Sequence, residues 1–287
     1  MHFGRLGALG AEIPVAAEGE SVYDLRSITP DIDGRFLGSD PVGTVRRALP
    51  QLPLVADSHS LRIGAPIAHP GAVYCIGMNY AAHAREGGAE SPSTIVVFFK
   101  PPHTIAGPND DFLAPAGMLK LDWEVELAVV IAKRAWQLGD AADPLDYIAG
   151  YAVANDLSER HWQLEVSGGQ WSKGKSGPGF LPLGPWLVPA SGVESSDLRL
   201  QSRVNGEPRQ DSRTSDLIFD VPTIVRDLSQ FTVLEPGDVV LTGTPEGVAL
   251  SGRFPYLKPG DVMDLEIEGL GRQRQLVRSH SQTEAGK

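Results

Sequence analysis

Residues 121–131, with the sequence LDWEVELAVVI, predict a buried strand with two acidic residues near its start. The second half of this stretch is a continuous apolar run, rich in β-branched residues and too short for a typical helix. Because side chains alternate between the two faces of a strand, Glu124 and Glu126 point the same way, about 6.6 Å apart along the strand. Two carboxylates beside a buried segment repel each other and resist ionisation unless a cation compensates them.

A third acidic residue follows a second apolar segment. Residues 151–154 (YAVA) are apolar, and Asn155 and Asp156 come directly after them, so a second short buried strand is expected to end in a carboxylate. Three hard oxygen ligands at two strand ends suit Mg²⁺, Mn²⁺ or Ca²⁺. Glu124, Glu126 and Asp156 are therefore a candidate metal site. The alternative is that both glutamates lie on the solvent-facing side of an edge strand.

The composition restricts the class of protein and its partners. Of the 287 residues, 41% are hydrophobic and 21% are charged, which is ordinary for a globular protein. A net charge of −11 argues against nucleic acid or an anionic membrane as a partner, but not against a small anionic substrate beside a bound cation. The single cysteine, Cys75, the absence of a signal-peptide pattern and the lack of any apolar run near the roughly 18 residues of a membrane span predict a soluble, cytoplasmic protein.

The distribution of glycine and proline predicts the fold class. The chain has 32 Gly and 23 Pro, and these residues separate many short apolar runs, whereas helical periodicity is scarce. This pattern favours a mainly β fold with short helices (α+β). We expect residues 1–70 to form a small N-terminal domain with a packing role, residues 71–280 to form the main domain that carries the candidate functional residues, and residues 281–287 to form a flexible tail.

A histidine and a glutamate are predicted to share one face of a short helix. Asn79 can cap a helix that runs to Glu86, and His83 lies three residues before Glu86, so the two side chains can touch. A histidine that is oriented by a carboxylate is a common general base, although such a pair is also common as a solvated surface contact. The small, polar residues 89–94 that follow are typical of a mobile lid.

A glycine-rich basic loop occupies residues 168–177. It ends in Gly174-Lys175-Ser176, as phosphate-binding loops do, but the segment before it is predicted to be a helix rather than the strand that such a loop requires. A nucleotide site is therefore disfavoured. Lys175 could instead neutralise an acidic substrate near the metal.

Taken together, these stretches resemble the fumarylacetoacetate hydrolase family. The matching motifs span about residues 72 to 277 in the order of the family, and their combination is more specific than any one of them. They are Gly77-x-Asn79-Tyr80-x-x-His83-x-x-Glu86, Phe98-x-Lys100-Pro101, Trp123-Glu124-Val125-Glu126-Leu127, Asn155-Asp156-x-Ser158-x-Arg160, Gln170-Trp171-x-x-Gly174-Lys175-Ser176, Val204-Asn205-Gly206-Glu207 and Leu241-Thr242-Gly243-Thr244-Pro245-x-Gly247-Val248.

The resemblance implies mixed sheets rolled into a half-open barrel, a homodimer and a site for Mg²⁺ or Mn²⁺, with Ca²⁺ as a further option. It also implies a role for each residue that matches a family motif. The implied roles are metal binding for Glu124, Glu126 and Asp156, catalysis for His83, Glu86 and Lys175, and substrate binding for Gln170 and Thr244.

Further matches point to one branch of the family, the 2,4-diketo-3-deoxy sugar-acid hydrolases of L-fuconate and L-rhamnonate breakdown. These matches are Gly107-Pro108-Asn109-Asp110-Asp111, Asp122-Trp123-Glu124, Ser158-Glu159-Arg160 and Gln163-Leu164-Glu165. The chain departs from that branch at residues 177–179, where Gly-Pro-Gly replaces a more polar sequence that many members carry after the lysine.

The resemblance implies hydrolysis of a carbon–carbon bond in an acylpyruvate-type 2,4-diketo acid, which releases pyruvate and a carboxylic acid. In this interpretation the metal acts as a Lewis acid, His83 activates water with the help of Glu86, and Lys175 stabilises the pyruvate enolate. Oxaloacetate decarboxylation and keto–enol isomerisation use the same enolate and remain alternatives. A non-catalytic small-molecule binding protein is an alternative of another class, although it would need none of these residues.

Overall fold

The computed structural model describes residues 1–86, 88 and 90–279, which form a mainly β fold. The strands are β1 (His2–Leu6), β2 (Ile13–Glu18), β3 (Ser21–Asp24), β4 (Val73–Gly77), β5 (Val96–Lys100), β6 (Ile105–Ala106), β7 (Phe112–Ala114), β8 (Leu121–Asp122), β9 (Val125–Ile131), β10 (Ile148–Asn155), β11 (Ser158–Glu159), β12 (Leu181–Pro182), β13 (Val188–Pro189), β14 (Arg199–Val204), β15 (Glu207–Arg213), β16 (Val239–Leu241), β17 (Val262–Ile267) and β18 (Gly271–Ser279).

The helices are short and lie between the strands. The α-helices are α1 (Gly34–Leu37), α2 (Pro41–Ala48), α3 (Ala81–Glu86) and α4 (Val221–Phe231). Single 3₁₀ turns occupy Leu49–Gln51, Ser58–Ser60, Pro102–Thr104, Pro144–Tyr147, Trp171–Gly174, Ala190–Gly192, Ser195–Asp197, Thr214–Asp216 and Ala249–Ser251, and a π-helical turn occupies His161–Glu165. None of the helices in the described residues is long and apolar enough to cross a membrane.

A mixed six-stranded sheet forms the centre of the molecule, in the order β13-β10-β9-β16-β4-β5. β9 pairs antiparallel with both β10 and β16, and β16 runs parallel to β4. Every residue of β9 is buried, as expected for a strand that is covered on both faces. The polar residues that flank β9 and follow β10 are consequently brought into the interior.

The two faces of this sheet pack against different layers. Val125, Leu127 and Val129 belong to a core that also contains residues of the five-stranded sheet β15-β14-β17-β18-β7. Ala128 and Val130 point to the other face and share a second core with the N-terminal sheet β1-β2-β3. Alternate residues of β9 thus pack into two different hydrophobic cores, one on each face of the sheet.

The structure confirms a mainly β fold with short helices and mixed sheets, as the sequence predicts. The half-open barrel and the domain boundary near residue 70 stay predictions. The predicted tail, residues 281–287, lies outside the described residues, as do Gly87 and Ala89 of the predicted lid segment.

Two local predictions were wrong. Asn79 does not cap α3, because its buried amide instead binds the backbone of Phe219 and the carbonyl of Thr242. The segment before the glycine-rich loop, residues 157–165, was predicted to be a helix, but it does not form one helix. Ser158 and Glu159 pair with β8 instead, and the Glu159 carboxylate accepts hydrogen bonds from backbone N–H groups, including that of Lys120.

Candidate active site

Three buried carboxylates converge where β9 begins and β10 ends. Glu124 directly precedes β9, Glu126 lies within it, and Asp156 follows β10 in the antiparallel partner strand. One carboxylate oxygen from each of the three lies within 4.8 Å of the others. The alternative that the glutamates face solvent on an edge strand is wrong, since Glu124 is 5% exposed and Glu126 is 2% exposed.

Lys175 joins two of these carboxylates. Its Nζ donates hydrogen bonds to Glu124 Oε2 at 2.6 Å, to Asp156 Oδ2 at 2.7 Å and to Ser158 Oγ at 2.7 Å. Although burial opposes the charged form, Asp156 and Glu124 hold the pKa of the Lys175 ammonium above its usual value. Lys175 is therefore a fixed cation in the floor of the site.

Two further cations complete the cluster. Arg160 donates to Glu124 Oε1 at 2.5 Å and to the buried Asp122 at 2.9 Å through Nε. Lys100 Nζ lies 2.5 Å from Asp156 Oδ1, and burial lowers the pKa of this lysine. Burial also raises the pKa of Asp122, against the opposing effect of Arg160.

Glu126 differs from the other two carboxylates, and this difference fits a divalent cation. Its Oε2 accepts a hydrogen bond from the backbone N–H of Gly243 at 2.7 Å, whereas the described cations of the cluster bind Glu124, Asp156 and Asp122. Burial, followed by Asp156 and Glu124, raises the pKa of Glu126 well above its usual value. A divalent ion bound by Glu124, Glu126 and Asp156 would remove this repulsion, and the donors are the hard oxygens that Mg²⁺ and Mn²⁺ prefer.

Helix α3 forms the opposite wall of the site and carries the predicted dyad. His83 Nδ1 lies 3.7 Å from Glu86 Oε2, which is beyond hydrogen-bond distance, and this buried nitrogen has no hydrogen-bond partner among the described residues. Glu86 instead accepts from the backbone N–H of Gly247 at 3.1 Å. The carboxylate of Asp216 accepts from the N–H of Ala82 at 2.9 Å and so stabilises the first turn of α3.

One cavity of about 230 Å³ lies between the acidic cluster and α3. Its lining includes all the predicted catalytic and metal-binding residues except Asp156, which contacts the lining residue Lys175, and it includes Thr244. The lining residues are Ile76, Gly77, Met78, His83, Ala84, Glu86, Phe98, Glu124, Glu126, Arg160, Gln163, Leu164, Trp171, Lys175, Thr244, Leu250 and Ser251.

The two predicted substrate-binding residues are placed differently. Thr244 lies in the lining, where its hydroxyl donates to the Val125 carbonyl and accepts from Gln210. Gln170 is exposed, outside the lining, and its side chain binds the Ser167 carbonyl. Gln163, to which the sequence assigned no role, lies in the lining and accepts from Arg160 at 2.9 Å.

The loop that delivers Lys175 is held by a close backbone approach. A Cβ on Gly174 would lie 2.5 Å from the backbone nitrogen of Gln163, so this position requires glycine. The Lys175 side chain is bound by carboxylates, so it is not available for the phosphate contacts of a nucleotide loop. Residues 177–179, where the chain departs from the sugar-acid branch, are absent from the described lining.

Sequence reasoning missed Asp122, Lys100 and Gln163 as members of the site. Asp122 and Lys100 were named only within family motifs. The sole indication of a role in the site was that each is a charged residue close to an apolar run. A charge at such a position must find a partner when the segment is buried. Which partner it finds depends on strands that are distant in sequence: Lys100 meets Asp156 across 56 residues.

Comparisons with known proteins agree with this geometry. Residues 72–278 match the family model described as fumarylacetoacetate (FAA) hydrolase C-terminal. A protein from Burkholderia multivorans (strain ATCC 17616 / 249) with a general hydrolase name is 44% identical over 281 residues, which cover 96% of this chain and 98% of the relative.

Two solved structures are similar over nearly the whole chain. The 5-carboxymethyl-2-hydroxymuconate delta-isomerase from Mycobacterium smegmatis has a TM-score of 0.77 at 33% identity, covering 97% of this chain and 99% of that one. The maleylpyruvate hydrolase from Sphingobium sp. SYK-6, solved with manganese(II) ion and pyruvate, has a TM-score of 0.79 at 26% identity, with coverages of 97% and 99%. The chain therefore belongs to the fumarylacetoacetate hydrolase family, which the sequence motifs had predicted.

Proposed function

We propose that this protein is a divalent-metal-dependent hydrolase that cleaves the C3–C4 bond of acylpyruvate-type 2,4-diketo acids. The observation that supports it most is that three buried carboxylates and a histidine lie at one cavity, on opposite walls, and that Nδ1 of this histidine has no hydrogen-bond partner among the described residues. A maleylpyruvate hydrolase with a similar fold holds manganese(II) and pyruvate, which is the product expected here.

Glu124, Glu126 and Asp156 would hold the ion, and Mg²⁺ and Mn²⁺ are the candidates. When bound, such an ion supplies Lewis-acid polarisation of the substrate's keto and carboxylate oxygens. Lys175 adds a fixed positive charge beside these oxygens, and the Thr244 hydroxyl lies in the same lining. The fragment that becomes pyruvate is thus held at the acidic cluster, with its acyl end in the rest of the cavity.

His83 and Glu86 carry the proton transfer. His83 takes a proton from water, whose oxygen adds to the C4 carbonyl carbon, and Glu86 orients the imidazole. The C3–C4 bond then breaks, and its electron pair stays on C3 as the enolate of pyruvate, which His83 or water protonates. The acyl fragment leaves as a carboxylic acid, so one water is consumed. The separation of 3.7 Å between His83 and Glu86 must shorten on substrate binding, as often occurs in catalytic pairs.

The test is pyruvate release from a panel of 2,4-diketo acids by protein stripped with a chelator and then reloaded with Mg²⁺ or Mn²⁺. We expect stoichiometric pyruvate and carboxylic acid from the reloaded protein and none from the stripped protein. Failure of every diketo acid to release pyruvate while the metal is bound would contradict the proposal.

Isomerisation or oxaloacetate decarboxylation is the second candidate. It is favoured by the similarity to a delta-isomerase and by the absence of a His83–Glu86 hydrogen bond, because neither reaction needs an activated water. The same assay with oxaloacetate added to the panel separates the candidates, since isomerisation changes the ultraviolet spectrum without releasing pyruvate, and decarboxylation releases carbon dioxide together with pyruvate from oxaloacetate.

The predicted oligomeric state, location and substrate type are included in this proposal. We propose a homodimer in the cytoplasm that acts on a small keto acid, and light scattering of the purified protein tests the dimer. The sugar-acid substrate that the sequence resemblance implies stays a prediction. A non-catalytic binding protein would show metal and keto-acid binding without turnover.

A further inference from the structure

We infer that the acyl substituent of the substrate is apolar, an alkyl or aryl chain rather than a polyhydroxylated chain or one that ends in a second carboxylate. This inference rests on the proposed function and narrows its substrate class. It follows from the part of the cavity lining that lies outside the acidic cluster and the His83–Glu86 pair. We call this part the apolar wall, and it consists of Ile76, Met78, Ala84, Phe98, Leu164, Trp171 and Leu250.

The apolar wall is built from separate segments that meet at the cavity. Met78 follows β4, Phe98 lies in β5, Trp171 begins a 3₁₀ turn, and Leu164 and Leu250 come from two further turns. Five separate segments, which span the chain from residue 78 to residue 250, therefore each contribute an apolar side chain to the same lining. Such convergence is typical of a binding surface for an apolar group.

Tight contacts hold part of the apolar wall in place. A Cβ on Gly77 would lie 2.4 Å from the Trp171 ring, so the indole packs directly on the backbone of β4. Trp171 also meets Phe98 edge to face, with ring centroids 5.7 Å apart. Met78 has a φ of 56°, a left-handed conformation that is uncommon for a non-glycine residue and is kept only where the surrounding structure holds it. The wall is therefore preformed rather than a result of loose packing.

Two leucines of the apolar wall are exposed to solvent in the absence of substrate. Leu164 is 43% exposed and Leu250 is 40% exposed, and they lie on the π-helical turn and on the Ala249–Ser251 turn. Removing exposed apolar surface from water is favourable, so a ligand that covers these leucines is bound more tightly. An apolar chain that extends from the C4 carbonyl would cover both leucines.

The cations of the described lining are already engaged, which argues against a second substrate carboxylate. Arg160 is bound to Asp122 and Glu124, and Lys175 is bound to Glu124 and Asp156. Lys175 is also needed beside the pyruvate fragment. A carboxylate at the far end of the substrate would be desolvated against the apolar wall without a partner, which is unfavourable.

Arg253 is a further cation that contacts a residue of the lining, and its charge is directed to Glu86. It contacts Glu86 Oε1 at 3.4 Å, its side chain is 63% exposed, and it is not part of the described lining. It also packs on Phe254, with its guanidinium carbon 5.4 Å from the ring centroid.

Each neutral amide or hydroxyl side chain of the described lining already makes at least one hydrogen bond with the protein. Gln163 accepts from Arg160, Thr244 binds the Val125 carbonyl, and the Ser251 hydroxyl donates to the Val248 carbonyl at 2.7 Å. A polyhydroxylated chain would lose its hydrogen bonds to water and find few in return. The apolar wall thus argues against the sugar-acid substrate that the sequence resemblance implies.

The first experiment compares kcat/KM for pyruvate release across 2,4-diketo acids that differ in the chain beyond C4. The panel contains acetylpyruvate, a straight-chain acylpyruvate with three more methylenes, a 2,4-diketo-3-deoxy sugar acid and a diketo acid that ends in a carboxylate. We expect kcat/KM to rise by at least about tenfold from acetylpyruvate to the longer apolar chain, and the two polar substrates to fall below that chain by a similar factor or more.

The outcomes separate the inference from the proposed function. If the sugar acid or the dicarboxylate is cleaved with a higher kcat/KM than the apolar chain, the inference is overturned and the proposed hydrolysis stands. If no diketo acid releases pyruvate from the metal-loaded protein, the proposed function fails and the inference falls with it.

A pair of variants tests the contact directly. Leu164→Asn and Leu250→Asn should each raise KM for the longer apolar chain by about tenfold with little change in kcat, because uniform binding is lost. Leu145→Asn is the matched control, since Leu145 is 45% exposed and lies outside the described lining. Equal KM values for the long chain in all three variants and the unmodified protein would overturn the inference, and circular dichroism verifies that each variant is folded.

Discussion

The two walls of the cavity differ in how completely their charged groups are paired. On the acidic side, the described cations bind Glu124, Asp156 and Asp122 at hydrogen-bond distance. On the α3 side, His83 Nδ1 has no hydrogen-bond partner among the described residues, and Glu86, 3.7 Å away, accepts instead from the backbone N–H of Gly247.

This difference indicates which part of the site is already formed before substrate binds. The acidic side is assembled by the fold itself, because buried charges without partners would destabilise the central sheet. The α3 side carries no such requirement and can adjust when a substrate enters. Perturbing the acidic side should therefore affect both stability and chemistry, whereas perturbing the α3 side should affect mainly chemistry.

The largest effect is expected from Glu124→Ala. This change removes a candidate metal ligand and leaves Arg160 and Lys175 without one of their carboxylate partners. We expect the free energy of unfolding to fall by about 3–5 kcal/mol and pyruvate release to be abolished. Denaturant unfolding and the pyruvate assay measure the two effects.

Glu165→Ala provides the control for that change. Glu165 pairs with Lys120 at the surface, so its loss should leave the free energy of unfolding nearly unchanged. Equal stability losses in the two variants would mean that the acidic side is not a preassembled network.

His83→Ala should have the next largest effect and should act on chemistry alone. Removing the positioned base should lower kcat/KM for diketo-acid cleavage by roughly 10²–10⁴-fold. Any oxaloacetate decarboxylation should fall far less, because carbon dioxide leaves without attack by water. The measurement is kcat/KM for both substrates, after metal occupancy has been checked.

His161→Ala is the matched control, because His161 also pairs with a glutamate, Glu165, at 2.9 Å but lies outside the described cavity lining. Its kcat/KM should be unchanged. If His83→Ala cleaves diketo acids at the unmodified rate with metal bound, the α3 pair is a structural contact and the hydrolytic mechanism is wrong.

Metal-linked stability tests the acidic side at a smaller scale. Mg²⁺ or Mn²⁺ at about 100 times its dissociation constant should stabilise the fold by about 2.7 kcal/mol. Glu126→Gln should lose most of that gain, because it removes one of the three ligands without leaving a described cation unpaired. Thermal unfolding with chelator and with saturating metal measures the gain.

Glu235→Gln, at an exposed surface pair with Arg134, is the control and should retain the full gain. Identical melting temperatures of the unmodified protein in chelator and in saturating metal would count against the site.

The smallest effect is expected from Asp216→Ala, which removes the carboxylate that binds the first turn of α3. Loss of such a contact costs about 1 kcal/mol, so hydrogen exchange at residues 81–86 should become faster. Addition of oxalate, a pyruvate analogue, to the metal-loaded protein should slow exchange there. Asp220→Ala removes the N-cap of α4 and should leave exchange in α3 unchanged.

Equal exchange rates at residues 81–86 with and without oxalate would show that the α3 wall does not become more ordered when oxalate binds. The contrast between the two walls would then be one of pairing only, and movement of α3 would have no part in the mechanism.

Much of the fold and the identity of the candidate metal ligands could be predicted from local sequence pattern. Period-two alternation places Glu124 and Glu126 on one face of a strand independently of the rest of the chain. The apolar run after them predicts that this strand is buried. The same reasoning identified the strand before Asp156 and the helix that carries His83 and Glu86.

The sequence alone therefore indicated the mainly β fold class, the candidate metal-binding carboxylates and, through its motifs, the family. Only the tertiary structure decided the partners of these groups: Gly243 beside Glu126, Lys100 beside Asp156, Gln163 rather than Gln170 in the cavity, and Asn79 bound to Phe219 instead of capping α3. The physical reason is that local periodicity sets the direction of a side chain, whereas its partner depends on which distant strand packs beside it. The order of the central sheet sets that choice, and no short stretch of sequence contains it.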